Sequence, residues 1–285
     1  MVNYNPKDWF GLIFKFHKSD TFRKLFWVIV SIALYSFGLA YFEIEVLQLN
    51  FKSTPALHSI LGFVLSILLV FRTNTAYDRW WEGRRLWGTL INDSRSFVLK
   101  LHHISKVRNH ALYGELIQWV IMYPKALSCH LRNKKHIHES LPSEVHQPVF
   151  VEGKILSCLE QMKLSGAISE TEMLWINNEI RTFSDVCGAC ERIKNSPIPY
   201  SYSLFLKKFI FVYIITMPYG FIKEFGYGIT LAVSFVFYVL ASLELIAEEI
   251  ENPFGEDAND LDLEQMSETI EKNLHEITGL VVTKY

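Results

Sequence analysis

The chain has 285 residues, half of them hydrophobic, and a formal net charge of −2 at pH 7. This charge balance, without a basic groove carrying interleaved aromatic residues, argues against nucleic-acid binding. The hydrophobic residues are concentrated in long runs, which argues against an ordinary soluble protein.

Four apolar runs follow one another along the chain. Residues 25–42, 53–71 and 225–243 are uncharged over 18, 19 and 19 positions. A helix of about 20 apolar residues crosses the hydrocarbon layer of a bilayer, so each run predicts a transmembrane helix. Residues 209–222 give only 14 uncharged positions. We predict a fourth span there because two lysines precede this run and the next apolar run follows almost at once.

The distribution of charge predicts the orientation of these spans. Five basic residues precede the first run, whereas the link between the first two runs carries two glutamates and one lysine. Basic residues favour the cytoplasmic side, which places the N-terminus there. We therefore expect residues 1–24, 72–208 and 244–285 to be cytoplasmic. Residues 25–71 and 209–243 would hold the four spans of a multi-pass plasma (inner) membrane protein.

The predicted cytoplasmic region is helical. Residues 86–104, 111–127 and 172–193 carry apolar residues at three- and four-residue spacing, as does the tail from residue 263 to 280. Residues 132–148 mix lysine, histidine, serine and two prolines, which predicts an exposed loop, and residues 195–202 predict a second break. The expected fold class is an all-α membrane protein.

A stripe of bulky residues lies in the second apolar run. Phe63, Ile67 and Phe71 are four residues apart and share one helical face. The residues alone leave two interpretations: the stripe packs against another span of the same chain, or it lines a pore as an apolar constriction that wets and dewets. The charges and tryptophans that follow, in residues 72–87, predict a packed and ion-paired joint.

Two acidic groups follow the fourth run. Glu244, Glu248 and Glu251 share a helical face, and an acidic turn opened by the letters NPFG comes next. Oxygen ligands in a turn suit Ca²⁺, although such turns are commonly only solvated.

The remaining candidate chemistry is weak. Cys187 and Cys190 lie in a helical pattern without a second such pair, which favours packing over a redox or zinc site. The pairs His102 with His103 and His136 with His138 lack the spacing of a catalytic zinc helix, so we expect surface or packing roles. Since no nucleophile motif or phosphate loop occurs either, we predict that the protein is not an enzyme.

Three segments together resemble one family. They are FRTNTAYDRWWEGRRLWGTL at residues 71–90, CGACERIKNSPIPYSY at 187–202 and ENPFGEDANDLDL at 251–263. In this order and at these places relative to the apolar runs, they resemble the bestrophin family in its bacterial branch. The resemblance implies a homopentameric ion channel with four spans per subunit and a helical cytoplasmic vestibule on the central axis.

The resemblance also implies site residues. The pore neck of the family falls on Phe63, Ile67 and Phe71, and the cytoplasmic constriction falls on Thr171, where a hydroxyl stands in place of the usual aliphatic side chain. Animal members bind Ca²⁺ in a run of aspartates after NPFG, which carries over to the oxygen ligands of Glu256, Asp257 and Asp260. Two uncharged residues, at positions 258 and 259, interrupt this run, so we expect a weakened calcium site.

The predicted function is passive conduction of monovalent ions, with chloride and other anions favoured by the resemblance. An aromatic neck suits either sign, because ring edges are positive and ring faces negative. The alternatives are a sodium- or potassium-selective channel of the same fold, a metal-dependent membrane enzyme, and a non-conducting membrane scaffold. The expected partners are monovalent ions, the lipid bilayer and further copies of this chain, with Ca²⁺ as the single candidate cofactor.

Overall fold

A computed structural model describes residues 21–47, 55–134 and 145–279, and these residues contain helices and no strand. The helices are α1 (Thr21–Tyr41), α2 (Ala56–His103), α3 (Tyr113–Leu131), α4 (Gln147–Leu164), α5 (Glu170–Asn195), α6 (Tyr200–Phe225), α7 (Ile229–Glu251) and α8 (Leu263–Thr278). Short turns add to them: a π turn at Phe42–Leu47, a helical turn at Ser105–Arg108 and a 3₁₀ turn at Gly226–Gly228. The prediction of an all-helical fold is confirmed.

The chain divides into two compact units. The first comprises the described residues among 1–79, 197–252 and 257–259, and the second comprises those among 80–196, 253–256 and 260–285. Helix α2 contributes its first half to one unit and its second half to the other. With 48 residues, it is about 72 Å long at 1.5 Å per residue. The predicted second span and the charged segment after it are therefore one uninterrupted helix.

The first unit is a bundle of α1, α6, α7 and the first half of α2. Helices that follow one another in the chain run in opposite directions. Tyr202, near the start of α6, donates a hydrogen bond of 3.0 Å to the Leu68 carbonyl oxygen, while the His58 ring nitrogen lies 3.1 Å from the Thr216 hydroxyl further along. Lys207 near the start of α6 pairs with Glu248 near the end of α7. The bundle has a small buried core of aliphatic side chains.

Three stretches of the described residues are long and apolar enough to cross a membrane: Thr21–Leu47, Ala56–His103 and Tyr200–Glu251. The last stretch contains both α6 and α7, so the four apolar runs lie in four helices. Helix α7 begins at Ile229, four residues after the first residue of the last apolar run. The intervening Gly226 has a φ of 52°, a backbone conformation that glycine adopts readily and that ends α6.

The second unit packs the other half of α2 with α3, α4, α5 and α8 around one large hydrophobic core. Cys187 and Cys190 are buried in that core on the inner face of α5, which confirms that they are packing residues. Of the segment predicted as an exposed loop, residues 135–144, with His136 and His138, lie outside the described residues. The prediction was wrong at Gln147 and Pro148, which form the buried first turn of α4.

Candidate ion pathway

The predicted neck residues lie on the outer surface of the first unit. The exposed fractions of Phe63, Ile67 and Phe71 are 67%, 40% and 62%. Leu65 and Leu69, two residues further along from Phe63 and Ile67, are buried. Since two residues advance a helix by about 200°, these leucines lie on the opposite face. Among the residues that the structure describes, no span of the same chain covers the stripe.

The exposed surface of α2 is wider than the stripe. Val64 and Val70 flank the three predicted neck residues and are 41% and 58% exposed. Further along the helix, the same face carries the exposed polar side chains of Asn74 and Asp78. The face therefore changes from apolar to polar at the point where the charged segment begins.

Buried charges hold the opposite face of α2. Arg72, which is only 1% exposed, donates a hydrogen bond of 2.7 Å to Glu251, and its Nε lies 3.5 Å from a carboxylate oxygen of Glu244. Both glutamates belong to the last part of α7. An arginine buried in an apolar bundle is costly unless it is paired, so this contact links α2 firmly to α7.

Glu251 also makes contacts beyond Arg72. Its backbone carbonyl oxygen accepts a hydrogen bond of 3.0 Å from Arg79, and its second carboxylate oxygen accepts one of 2.7 Å from the Ile198 backbone N–H. Glu251 thus contacts α2 at two positions, Arg72 and Arg79, and also contacts the backbone at Ile198, just before α6. Of the segment predicted to form an ion-paired joint, Arg72 and Arg79 are therefore bound to α7 within the first unit.

The three glutamates on one face of α7 have cationic partners inside the protein. Glu244 and Glu251 contact Arg72, and Glu248 accepts a hydrogen bond of 2.9 Å from Lys207. These carboxylates therefore serve as ion-pair partners for α2 and α6. The exposed Lys207 pair contributes little to stability by itself.

Thr171 lies exposed in the first turn of α5, next to a complete helix cap. The Ser169 side chain accepts a hydrogen bond of 3.2 Å from the Glu172 backbone N–H, and Glu172 accepts one of 2.7 Å from the Ser169 backbone N–H. The hydrogen bonds from Ser169 hold the pKa of Glu172 below its usual value. This cap fixes the backbone at the start of α5, where Thr171 lies.

The predicted calcium ligands differ in their surroundings. Glu256 is exposed and paired with Lys134, whose hydrogen bond holds the pKa of Glu256 below its usual value. Asp257 is exposed, whereas Asp260 is buried. Glu256 and Asp260 belong to the second unit and Asp257 to the first. Calcium binding at this turn stays a prediction, and the pairing of Glu256 with Lys134 would compete with it.

The NPFG turn is anchored on α2 through a glycine. A Cβ added to Gly83 would lie 3.1 Å from the ring of Phe254, closer than side chains normally approach. Arg132 donates a hydrogen bond of 3.2 Å to the Phe254 carbonyl oxygen. Phe254 is 1% exposed, so it fixes the turn within the second unit.

The sequence profile of the family described as "Bacterial/Fungal Bestrophin protein" matches residues 1–276. The chain belongs to this family. The match covers both compact units and all of α1 to α7, together with most of α8.

Curated relatives of this bestrophin are named as channels. A protein of Nostoc sp. named as a voltage-dependent anion channel-forming protein is 30% identical, over 96% of this chain and 93% of the relative. A protein of Synechocystis sp. with the same descriptive name is 32% identical, over 80% of this chain and 79% of the relative. The prediction that this bestrophin is not an enzyme is confirmed by its family and by these relatives.

A solved structure supports the same assignment. The crystal structure of a mutated bacterial bestrophin homolog from Klebsiella pneumoniae aligns with a TM-score of 0.83 and 26% sequence identity, over 90% of this chain and 100% of the other. The fold of this bestrophin is therefore that of a helical membrane channel family.

Sequence reasoning missed how Gly62 and Glu251 are used. A Cβ on Gly62 would lie 2.7 Å from the Tyr213 hydroxyl, so α6 packs closely against α2 one residue before the neck begins. The partnership of Glu251 with Arg72 spans 179 positions. A single glycine in an apolar run and a distant charge pair give no local signal in the sequence.

Proposed function

We propose that five copies of this bestrophin assemble around a central axis as an anion channel that conducts chloride passively, with Phe63, Ile67 and Phe71 as its apolar neck. The observation that carries the proposal is the exposure of these three side chains on the face of α2 opposite to the packed one. In a ring of five copies this face would point to the central axis. Val64 and Val70, which flank the stripe, would then contact the neighbouring copies.

The neck would control both the hydration of the pore and the passage of ions. A narrow ring of apolar side chains loses its water easily, and an ion cannot cross a dry constriction at low cost. Below Phe71 the same face of α2 becomes polar, so the barrier would be confined to about three helical turns. Thr171 would form the cytoplasmic constriction, where a ring of hydroxyls offers ions hydrogen-bonding groups.

Selectivity for anions rests on the names of the relatives and not on the geometry of the neck. The test is the reversal potential of the purified protein in planar bilayers under a KCl gradient, repeated with NaCl. We expect a reversal potential close to the equilibrium potential of chloride in both salts. A reversal potential close to that of the cation would instead assign a cation channel of the same fold.

The same preparation tests the pentamer. Its mass in detergent, measured by light scattering corrected for bound detergent, should equal five chains of 33.2 kDa. A well-formed pentamer that carries no current in either salt would point to the non-conducting scaffold and contradict the channel.

Both ends of the chain would lie on the cytoplasmic side of the plasma membrane. The helices of the first unit alternate in direction, as four spans require, and the basic residues precede α1. A green fluorescent protein fused after residue 285 should therefore fluoresce, and an alkaline phosphatase fused there should be inactive. The reverse pair of results would contradict this orientation.

A further inference from the structure

Two histidines and a glutamate meet in the second unit, outside the proposed pathway. His130 lies at the end of α3, His146 precedes the first residue of α4, and Glu191 lies in the last part of α5. The Nε2 atoms of His130 and His146 lie 2.7 Å and 2.6 Å from the same Glu191 carboxylate oxygen. The two imidazole rings are 4.2 Å apart between centroids. Three potential metal ligands from three helices thus converge at one point.

We propose that His130, His146 and Glu191 form a binding site for a divalent transition-metal ion such as Zn²⁺. Two imidazole nitrogens and one carboxylate oxygen are a ligand set that such ions prefer, with a fourth position left to water. The proposal requires neither the pore nor the pentamer, because all three ligands belong to one chain.

The distances fit after a small movement. The ligand atoms of the three residues lie within 4.8 Å of one another. An ion that holds tetrahedral ligands at about 2.1 Å separates neighbouring ligand atoms by about 3.4 Å. The two nitrogen–oxygen separations, 2.7 Å and 2.6 Å, must therefore open by about 0.7 to 0.8 Å, and the separation of the two ring nitrogens must change by at most about 1.4 Å. His146 is the most exposed of the three, which gives the ion a route from solvent.

The charges around the cluster are compatible with a cation. The carboxylate of Glu191 lies against both imidazole rings and supplies a negative charge at the site. Lys194, one turn after Glu191, directs its ammonium group to the His130 carbonyl oxygen at 3.0 Å and to the Asn133 side chain at 2.7 Å. Cys187 is buried in the hydrophobic core and is not one of the residues whose ligand atoms converge here.

One existing contact would be lost. The Nδ1 atom of His146 accepts a hydrogen bond of 3.4 Å from the Val149 backbone N–H and so caps α4. A neutral imidazole that binds metal through Nε2 carries its proton on Nδ1 and cannot accept this bond. The contact is long and correspondingly weak, so metal binding can replace it. Asparagine at position 146 would keep the cap, because asparagine is a preferred residue there, and would remove the ligand.

The test is calorimetric titration of ZnCl₂ into the purified full-length protein, together with its thermal midpoint with and without EDTA. We expect one saturable Zn²⁺ per chain and a higher midpoint that EDTA reverses. His146→Asn and, separately, Glu191→Gln should weaken binding by at least about 100-fold, more than the loss of an outer-shell partner. Both variants should unfold cooperatively without zinc.

The matched control is the double variant His136→Gln with His138→Gln, which removes two histidines from the segment between α3 and α4. It should bind zinc like the wild type. The proposal is overturned if the wild-type protein takes up no zinc at micromolar concentration, or if His146→Asn binds as well as the wild type. It is also overturned if the control loses the ion, because the ligands would then be the other histidines.

Discussion

The two faces of the first half of α2 are both rich in apolar residues but differ in what covers them. Leu65, Leu69 and Arg72 are buried against helices of the same unit, whereas Phe63 and Phe71 are largely exposed. Composition does not separate these faces. The packed face has its partners within the chain, and the exposed face must find lipid, water or other copies of the chain. Substitutions on the first should therefore act on folding, and substitutions on the second on conduction.

The largest effect on the packed face is expected at Arg72. Arg72→Ala leaves Glu244 and Glu251 without their buried cation, and removal of one partner from a buried ion pair costs about 3 to 5 kcal/mol. We expect a much lower thermal midpoint and a poor yield of folded protein, measured by fluorescence-detected size-exclusion chromatography after heating. Asp78→Ala, which removes an exposed charge from the same half of α2, is the control and should melt like the wild type. A stable Arg72→Ala protein would show that the pair is dispensable.

A smaller effect is expected at Leu69, which is 2% exposed. Leu69→Ala opens a cavity between α2 and its neighbours and should cost about 2 kcal/mol. Val70, the adjacent residue, is 58% exposed, so Val70→Ala should change the thermal midpoint little. Equal shifts for the two variants would mean that the two faces do not differ in packing.

The smallest effect is expected at Thr171, far along the chain from α2. Thr171→Ile replaces a ring of hydroxyls by methyl groups and should favour weakly hydrated anions. The permeability ratio of iodide to chloride should rise by less than about tenfold, equivalent to about 1.4 kcal/mol. Bi-ionic reversal potentials measure this ratio, and Thr171→Ser, which keeps the hydroxyl, is the control. An unchanged ratio for Thr171→Ile would remove Thr171 from the pathway.

The sequence predicted much of the fold, because the four apolar runs and the helical spacing are patterns formed by residues close together in the chain. It failed where single residues set boundaries. Gly226 ends α6 inside an apolar stretch, and His146 with Pro148 starts α4 inside a segment whose composition is typical of a loop. A capping residue followed closely by proline indicates the start of a helix. The polar composition of the residues before it favoured a loop instead.

The candidate sites likewise include features that the sequence predicts and features that it does not. The stripe of Phe63, Ile67 and Phe71 follows from spacing, but its exposure depends on which helices pack on α2. The pairing of Arg72 with Glu251 and the meeting of His130, His146 and Glu191 join residues far apart in the chain. No spacing rule connects such residues, so only the folded arrangement reveals them.

The most direct test of the central claim is the current through single channels of the triple variant Phe63→Ala, Ile67→Ala and Phe71→Ala. Its matched control carries alanine at Phe205, Leu231 and Phe235, which are similarly exposed on α6 and α7. If the stripe forms the neck, removing its apolar barrier should raise the current at least about tenfold, equivalent to about 1.4 kcal/mol or more of barrier. The control should conduct like the wild type. Wild-type current through a correctly assembled triple variant would contradict the claim that this face of α2 lines the pore.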